Sequence, residues 1–339
     1  MENFIKANKT KDEKTESISE NSIATNQKVN NRPLTFNDYV GQTNAVENLK
    51  IFISAAKIKN RAIQHIIIQG EAGLGKTSLA TIVANEMEAN IIYTSAPAIE
   101  KPYELVSLLS RLNDNDIIFI DEIHRLKVNI EEMLYLAMED NVVDIVIKKD
   151  FEDDKLIRLP LANFTLIGAT TKIGSLSKPL IERFNINLTL RKYTVDELVM
   201  IIEGAAKKKE IKIAKKASVL MAERSRGIAR LALKNFDIAS SYAIVKNNSS
   251  ISVELAEESM NKMGILMFGL SSNDLEYIKL ISSSVKPLSL KTISNKLGQN
   301  QESLENVIEP YLISMGLITI NSSGRIGTTL ARDILKNFE

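Results

Sequence analysis

The chain has 339 residues, with 43 Lys and Arg against 42 Asp and Glu, and its net charge of +1 excludes strong global attraction to nucleic acid or membrane, so any such partner must meet a local patch. The absence of Cys excludes a disulfide framework, a thiolate zinc site and a cysteine nucleophile, and two His leave very little for a histidine metal cluster. No apolar run approaches the roughly 18 residues of a membrane span, and the N-terminus lacks the apolar core of a signal peptide, so a cytoplasmic protein without a membrane partner is expected.

At roughly 100–200 residues per domain, this length predicts two or three domains. Residues 1–31 read as a disordered polar tail, because five Lys are balanced by Glu2, Asp12, Glu13, Glu16 and Glu20 and the apolar residues are scattered. Ordered sequence is expected from Arg32-Pro33. A helix pattern follows over Ala45–Lys57, then a buried strand at His65–Gln69 and a helix at Leu79–Met87. Ile117–Ile120, Phe164–Ala169 and Ile186–Leu190 read as further buried strands. Apolar strands alternating with helices predict an α/β domain over 32–192 with a parallel sheet covered on both faces. Residues 194–262 read as purely helical, within a helical lid domain over 193–269. Over 270–339 the pattern gives three helices, Asp274–Ser282, Leu290–Leu297 and Ser303–Met315, closed by a hairpin that turns at Asn321–Gly324, which is the winged-helix layout.

Three motifs carry chemistry. Gly70–Thr77 matches G-x-x-x-x-G-K-[ST] between a predicted strand and a predicted helix. Backbone N–H groups and the helix dipole would cradle phosphates there, Lys76 would reach the β/γ-phosphates, and the Thr77 hydroxyl would ligate Mg²⁺. Ile117–Glu122 is an apolar strand that delivers two carboxylates at its C-terminal end, Asp121 for Mg²⁺ and Glu122 for the attacking water. Gly168–Thr171 ends another buried strand in hydroxyls, one of which could sense the γ-phosphate. Arg183 and Arg230 are candidates for stabilising transition-state charge. His124 reads either as a link from nucleotide state to a partner or as a hydrogen-bonded structural residue, and His65 as structural. The lysines at 207–209, 212, 215 and 216 read first as a solvated helical face and second as a phosphate patch.

In this order the motifs resemble the AAA+ ATPases. A closer resemblance is to the RuvB family of bacterial Holliday-junction branch-migration motors. It rests on Arg32-Pro33, Asp38–Gln42, Gly73–Thr77, Phe119–Leu126, Ala137–Asp140, Phe164–Thr171 and Glu309–Leu312, and covers residue 32 to the C-terminus. The resemblance implies an AAA+ domain, a helical lid and a winged helix, assembled as a homohexamer on duplex DNA. It implies RuvA and four-way junctions as partners, with the RuvC resolvase in a larger complex. It also implies ATP and Mg²⁺, with nucleotide contacts from Asn31, Arg32, Gly73, Gly75, Lys76, Thr77, Ser78, Glu139, Asp140, Asn141, Tyr193 and Arg230. Thr170 would be the γ-phosphate sensor, and Arg183 would reach the ATP of the next subunit. The segment 142–160 would form a β-hairpin that docks on RuvA, with Ile145 and Ile147 as anchors.

The chain departs from the family pattern in places. Glu71-Ala72 stand where two prolines are usual, and Ile228-Ala229 where Thr-Pro is. Ile320, Ser323 and Gln301 stand where basic residues are expected in the winged helix, leaving Arg325 as the candidate DNA contact and predicting weak intrinsic DNA binding. The competing reading is a clamp-loader-like AAA+ ATPase that remodels partners on DNA without translocating. A small-molecule P-loop kinase is disfavoured by the lid and the winged helix.

Overall fold

The computed structural model describes residues 32–147, 155–246 and 250–338, so the expected tail lies outside the described residues. Five strands form a parallel sheet: β1 (Ile66–Gln69), β2 (Ile91–Ser95), β3 (Ile117–Asp121), β6 (Thr165–Thr170) and β7 (Ile186–Thr189), in the order β2-β3-β6-β1-β7. Between β3 and β6 the chain adds an antiparallel hairpin of β4 (Val142–Ile147) and β5 (Lys155–Pro160). The apolar runs are continuous because both faces of the sheet are covered. Ile66 and Ile68 of β1 pack into one core with Phe119 and Ile167, while Ile67 packs into the other with Ile118, Ile120 and Leu166. The edge strand β2 was not among the predicted runs. It is only half-buried, and its Tyr93 is exposed and closed by a hydroxyl contact with Thr81, so it lacks the continuous apolar signature.

His65 enters β1 in a structural role. Its Nδ1 accepts the N–H of Leu166 at 2.9 Å and its Nε2 lies 3.2 Å from the carbonyl of Met138, so the ring ties β1, β6 and the helix Val128–Asp140 together as the neutral tautomer. Burial lowers its pKa, and the Met138 carbonyl offsets this only partly. The unfolded chain therefore binds a proton that the folded chain resists. Stability should fall as pH drops below the unfolded value of about 6.5, and continue to fall until the lowered folded pKa is passed. Urea unfolding between pH 7.5 and 5.5 should show this loss, and His65→Gln should flatten it. An equal slope in the variant would remove His65 as the cause.

The lid region is built from helices Val195–Lys208, Lys215–Glu223, Ala229–Val245 and Val253–Lys262. It is not purely helical, because β8 (Lys212–Ile213) and β9 (Ser250–Ile251) form a short parallel pair. Two-residue strands carry no periodicity, which is why sequence pattern passed over them. Helix Val195–Lys208 opens with a capping box between Thr194 and Glu197. The lid shares one apolar core with the sheet face that carries Ile66 and Ile68.

The winged helix has its own core around Tyr277, Ile278, Ile293, Leu304 and Leu312. Its helices Ser272–Ser282 and Leu290–Leu297 match the prediction, while the third contains a π-turn at Leu304–Ile308 before Glu309–Ser314. β10 (Ile318–Asn321) and β11 (Gly324–Gly327) form the wing, and a further helix, Thr329–Leu335, follows. Glu309-Pro310-Tyr311-Leu312 acts as a clamp in the fold. Glu309 is buried and accepts hydrogen bonds from the Tyr277 hydroxyl (2.6 Å) and from Arg325 Nε and Nη2 (2.9 and 3.1 Å). The ring of Tyr311 lies 4.2 Å from the Arg226 guanidinium, which also donates to Asp274 at 2.5 Å and to the carbonyl of Gly269.

Candidate active site

The phosphate loop owes its shape to two glycines. Gly73 (φ +87°) and Gly75 (φ +99°) are in the left-handed region, where a side chain is costly. A Cβ on Gly73 would stand 2.8 Å from Ile228 and 2.9 Å from Arg230, and one on Gly75 would stand 2.8 Å from the Tyr39 hydroxyl. The loop is thus held between the lid and the N-terminal segment. Arg230 N–H donates to the Gly73 carbonyl at 3.2 Å, and the Tyr193 hydroxyl donates to the Leu74 carbonyl at 3.0 Å. Burial raises the pKa of both Tyr39 and Tyr193, so both hydroxyls stay protonated. Tyr39 and Gln42, whose amide brackets the backbone of Arg191, had no role assigned from sequence. Their place in the Asp38–Gln42 stretch was the available signal, and the structure shows Gly41 and Gln42 in the left-handed region.

Lys76 opens the helix Lys76–Met87, with Thr77 and Ser78 in its first turn. Its ammonium donates to the carbonyls of Gly70 (2.7 Å) and Glu71 (3.1 Å). Burial pulls its pKa down, and the charges of Asp121 and Glu122 pull it back up. The parallel register explains how these groups meet. β6 lies between β3 and β1, Gln69 pairs with Thr170, and all three strands end on the same edge, where ligands bind in α/β sheets. Asp121 closes β3 and accepts the N–H of Glu122 at 2.9 Å, while Glu122 holds a left-handed backbone (φ +54°). Thr170 closes β6, with its hydroxyl 3.0 Å from His124 Nδ1. Among the described residues no group of three or more His, Asp or Glu forms a metal cage. Thr77 and Asp121 suit Mg²⁺, which takes one or two protein ligands and completes its shell with phosphates and water.

The remaining candidates divide. Arg183 ends the helix Lys178–Glu182, pairs with Glu139 at 2.5 Å and lies 5.3 Å from the Tyr135 ring. Its Nε is buried without a hydrogen-bond partner. Asp140 ends the helix Val128–Asp140, and Asn141 (φ +51°) starts the hairpin, donating to Asn163 at 3.1 Å. These two therefore stand at the base of the hairpin. Arg32 is exposed, and Asn31 lies outside the described residues. In the hairpin, Ile145 pairs with Ile157, and Ile147 with Lys155 by backbone register. Arg158 makes a bidentate pair with Asp144, both bonds 2.8 Å.

The wing departs from expectation. Ile320 and Ser323 are exposed, as candidate DNA contacts would be, but Arg325 is turned inward and its charge is neutralised by Glu309. A guanidinium committed to a buried carboxylate is not a free phosphate contact. In the lysine stretch, Lys209 is paired with Asp237 at 2.6 Å.

Fold and site together define a P-loop ATPase of the AAA+ class, a nucleotide-binding α/β domain followed by a helical lid and a winged helix. Family profiles match each part: residues 31–190 the Holliday junction DNA helicase RuvB P-loop domain, 193–265 the RuvB AAA lid domain, and 267–336 the RuvB C-terminal winged helix domain. The chain belongs to the RuvB family. It is 43% identical over 306 residues to the Holliday junction branch migration complex subunit RuvB of Campylobacter lari, covering 90% of this chain and 91% of that one. Identity is 41% over 306 residues to the same-named subunit of Neorickettsia sennetsu, covering 90% and 92%. The structure of the Thermotoga maritima RuvB Holliday junction branch migration motor matches with a TM-score of 0.78 at 35% identity, over 90% of this chain and 98% of that one. Likeness to Aeropyrum pernix ORC2, at 15% identity and a TM-score of 0.53, is one of fold alone.

Proposed function

We propose that this chain is the ATP-driven DNA translocase of a Holliday-junction branch-migration complex, acting in recombination and repair in the cytoplasm. The observation that carries the reading is the convergence of Lys76, Asp121, Glu122 and Thr170 on one sheet edge, beneath a lid whose Arg230 presses on the phosphate loop. In this reading Gly73, Gly75, Lys76, Thr77 and Ser78 hold the phosphates, and Thr77 and Asp121 hold Mg²⁺, which neutralises phosphate charge. Glu122 orients and polarises the attacking water, and Thr170 meets the γ-phosphate. Tyr193 and Arg230 connect nucleotide state to the lid, because both already bond the loop backbone. Asn31 and Arg32 serve the nucleotide from the N-terminal segment.

The working assembly is a homohexamer on duplex DNA. Arg183 reaches the ATP of the next subunit from a helix end where Glu139 and Tyr135 hold it, and Glu139, Asp140 and Asn141 are further nucleotide contacts in this reading. The hairpin docks on RuvA through Ile145 and Ile147, and RuvC joins the larger complex. DNA is gripped through its backbone without base preference. With Arg325 spent on Glu309, the winged helix contributes few phosphate contacts, so loading depends on RuvA and on ATP-driven ring assembly.

The test is dissociation of a synthetic four-way junction by the full chain. It should require ATP, RuvA and low salt together. Hydrolysis of ATP without loss of the junction under those conditions would favour the loader reading.

A further inference from the structure

His124 joins two groups that the ATPase reading treats separately. Its Nδ1 lies 3.0 Å from the Thr170 hydroxyl, and its Nε2 lies 3.6 Å from Glu122 Oε2. The direction of this chain of contacts follows from hydrogen-bond bookkeeping. The Thr170 hydroxyl accepts the N–H of Lys172 at 3.0 Å and keeps one proton and one lone pair, so it can meet either tautomer, and the carboxylate at the other ring nitrogen decides the direction. A neutral imidazole then carries its proton on Nε2, facing the carboxylate. The opposite tautomer would set a nitrogen lone pair against Glu122. At 3.6 Å this last contact is an electrostatic approach rather than a hydrogen bond, and it must shorten in the reacting complex to become one.

The ring has little freedom. Its side chain is 10% exposed, whereas that of Glu122 is 39% exposed and reaches the solvent side from which water arrives. The turn Ile123–Arg125 that carries it is anchored by fully buried Ile123. Ile123 Cδ1 sits where a Cβ on Gly168 would be 3.0 Å away, so Gly168 lets the turn settle directly on β6, two residues before Thr170. Backbone and packing therefore fix His124 between the two strand ends.

We propose that His124 is a positioning residue that orients the Glu122 carboxylate for the attacking water, with its own orientation set by the Thr170 hydroxyl. This inference rests on the ATPase reading. In this arrangement the single hydroxyl proton of Thr170 is committed to His124 Nδ1, and the imidazole lies between Thr170 and Glu122. No proton changes owner in this role.

The experiment is steady-state ATP hydrolysis and nucleotide binding by the full chain with His124→Ala, His124→Gln and His124→Asn. Removing the donor to Glu122 should lower kcat about tenfold or more, while ATP affinity and the thermal midpoint stay near wild type. Gln places an amide N–H near the Nε2 position and should restore much of kcat, whereas the shorter Asn should not. In a Thr170→Val background, His124→Ala should cost less than about twofold, because the ring has already lost its anchor. Unchanged kcat in His124→Ala would overturn the proposal. So would a loss shared by affinity and thermal midpoint, or full additivity with Thr170→Val, since each marks a merely structural histidine. Failure of the wild-type chain to hydrolyse ATP would overturn the ATPase reading itself, and is told apart because it shows without any substitution.

Discussion

Glu122→Gln is expected to abolish turnover while leaving ATP binding intact. The carboxylate is held by a left-handed backbone at the end of β3, beside Asp121 and the ammonium of Lys76. Gln keeps that shape and loses the charge and basicity needed to draw a proton from water. General-base loss of this kind costs about 10²–10⁴ in rate. Lys76→Ala should fail earlier, at binding, because that ammonium is the buried cation facing the phosphates and its carbonyl partners in the loop would lose their donor. Equilibrium binding of a fluorescent ATP analogue, with single-turnover hydrolysis, separates the two. Near-normal hydrolysis by Glu122→Gln would remove this residue from the chemistry and shift attention to Asp121.

Glu309→Ala is expected to be the most destabilising single change in the winged helix. Glu309 is buried and holds three donors, two from Arg325 and one from Tyr277. Burial raises the pKa of Tyr277, and its hydrogen bond to Glu309 raises it further, so the phenol remains a donor throughout the working range. Removing the carboxylate strands a guanidinium that is only 15% exposed, a loss of roughly 3–5 kcal/mol. Thermal unfolding should register it as an early transition, and DNA binding should fail with it while the phosphate loop still binds ATP. The double change Glu309→Met with Arg325→Met should recover most of the stability, since a buried pair is often replaceable by apolar packing. The same double variant tests the wing. If Arg325 meets no phosphate, the slope of log affinity against log salt stays put. If it does meet one, the slope shrinks by about 0.9. Recovery of stability with an unchanged slope would assign Arg325 to the fold rather than to DNA.

The parts legible in the sequence are those whose signal is local. The phosphate loop is eight consecutive residues whose glycines, lysine and hydroxyl must occur in that order to wrap a phosphate. The Asp121-Glu122 pair and Thr170 are readable because each follows an apolar run that can only be a covered strand. The helical character of the lid, three winged-helix helices and the wing follow from apolar spacing and turn residues in the same way, without the bounds of the lid's separate helices. Edge strand β2 and the pair β8-β9 escaped because exposure and shortness erase the period that sequence reading relies on.

Residue order alone therefore sets out the chemistry on offer: a phosphate cradle, two carboxylates, a hydroxyl at a strand end and a chain of three domain types. Which groups meet follows from how the elements pack. Placing β6 between β3 and β1 is what brings His124 of one strand end against Thr170 of another. Folding of the wing onto the helix Glu309–Ser314 is what turns Arg325, a basic wing residue by sequence, into the partner of a buried acid. Lys192 likewise spans from Glu71, the substituted phosphate-loop position, to the ring of Tyr311 in the winged helix. Charge and hydrogen-bond capacity are properties of a residue and can be read one at a time. Their energies depend on distance and burial, which are properties of pairs, and these pairs are closed by segments up to a hundred or more residues apart.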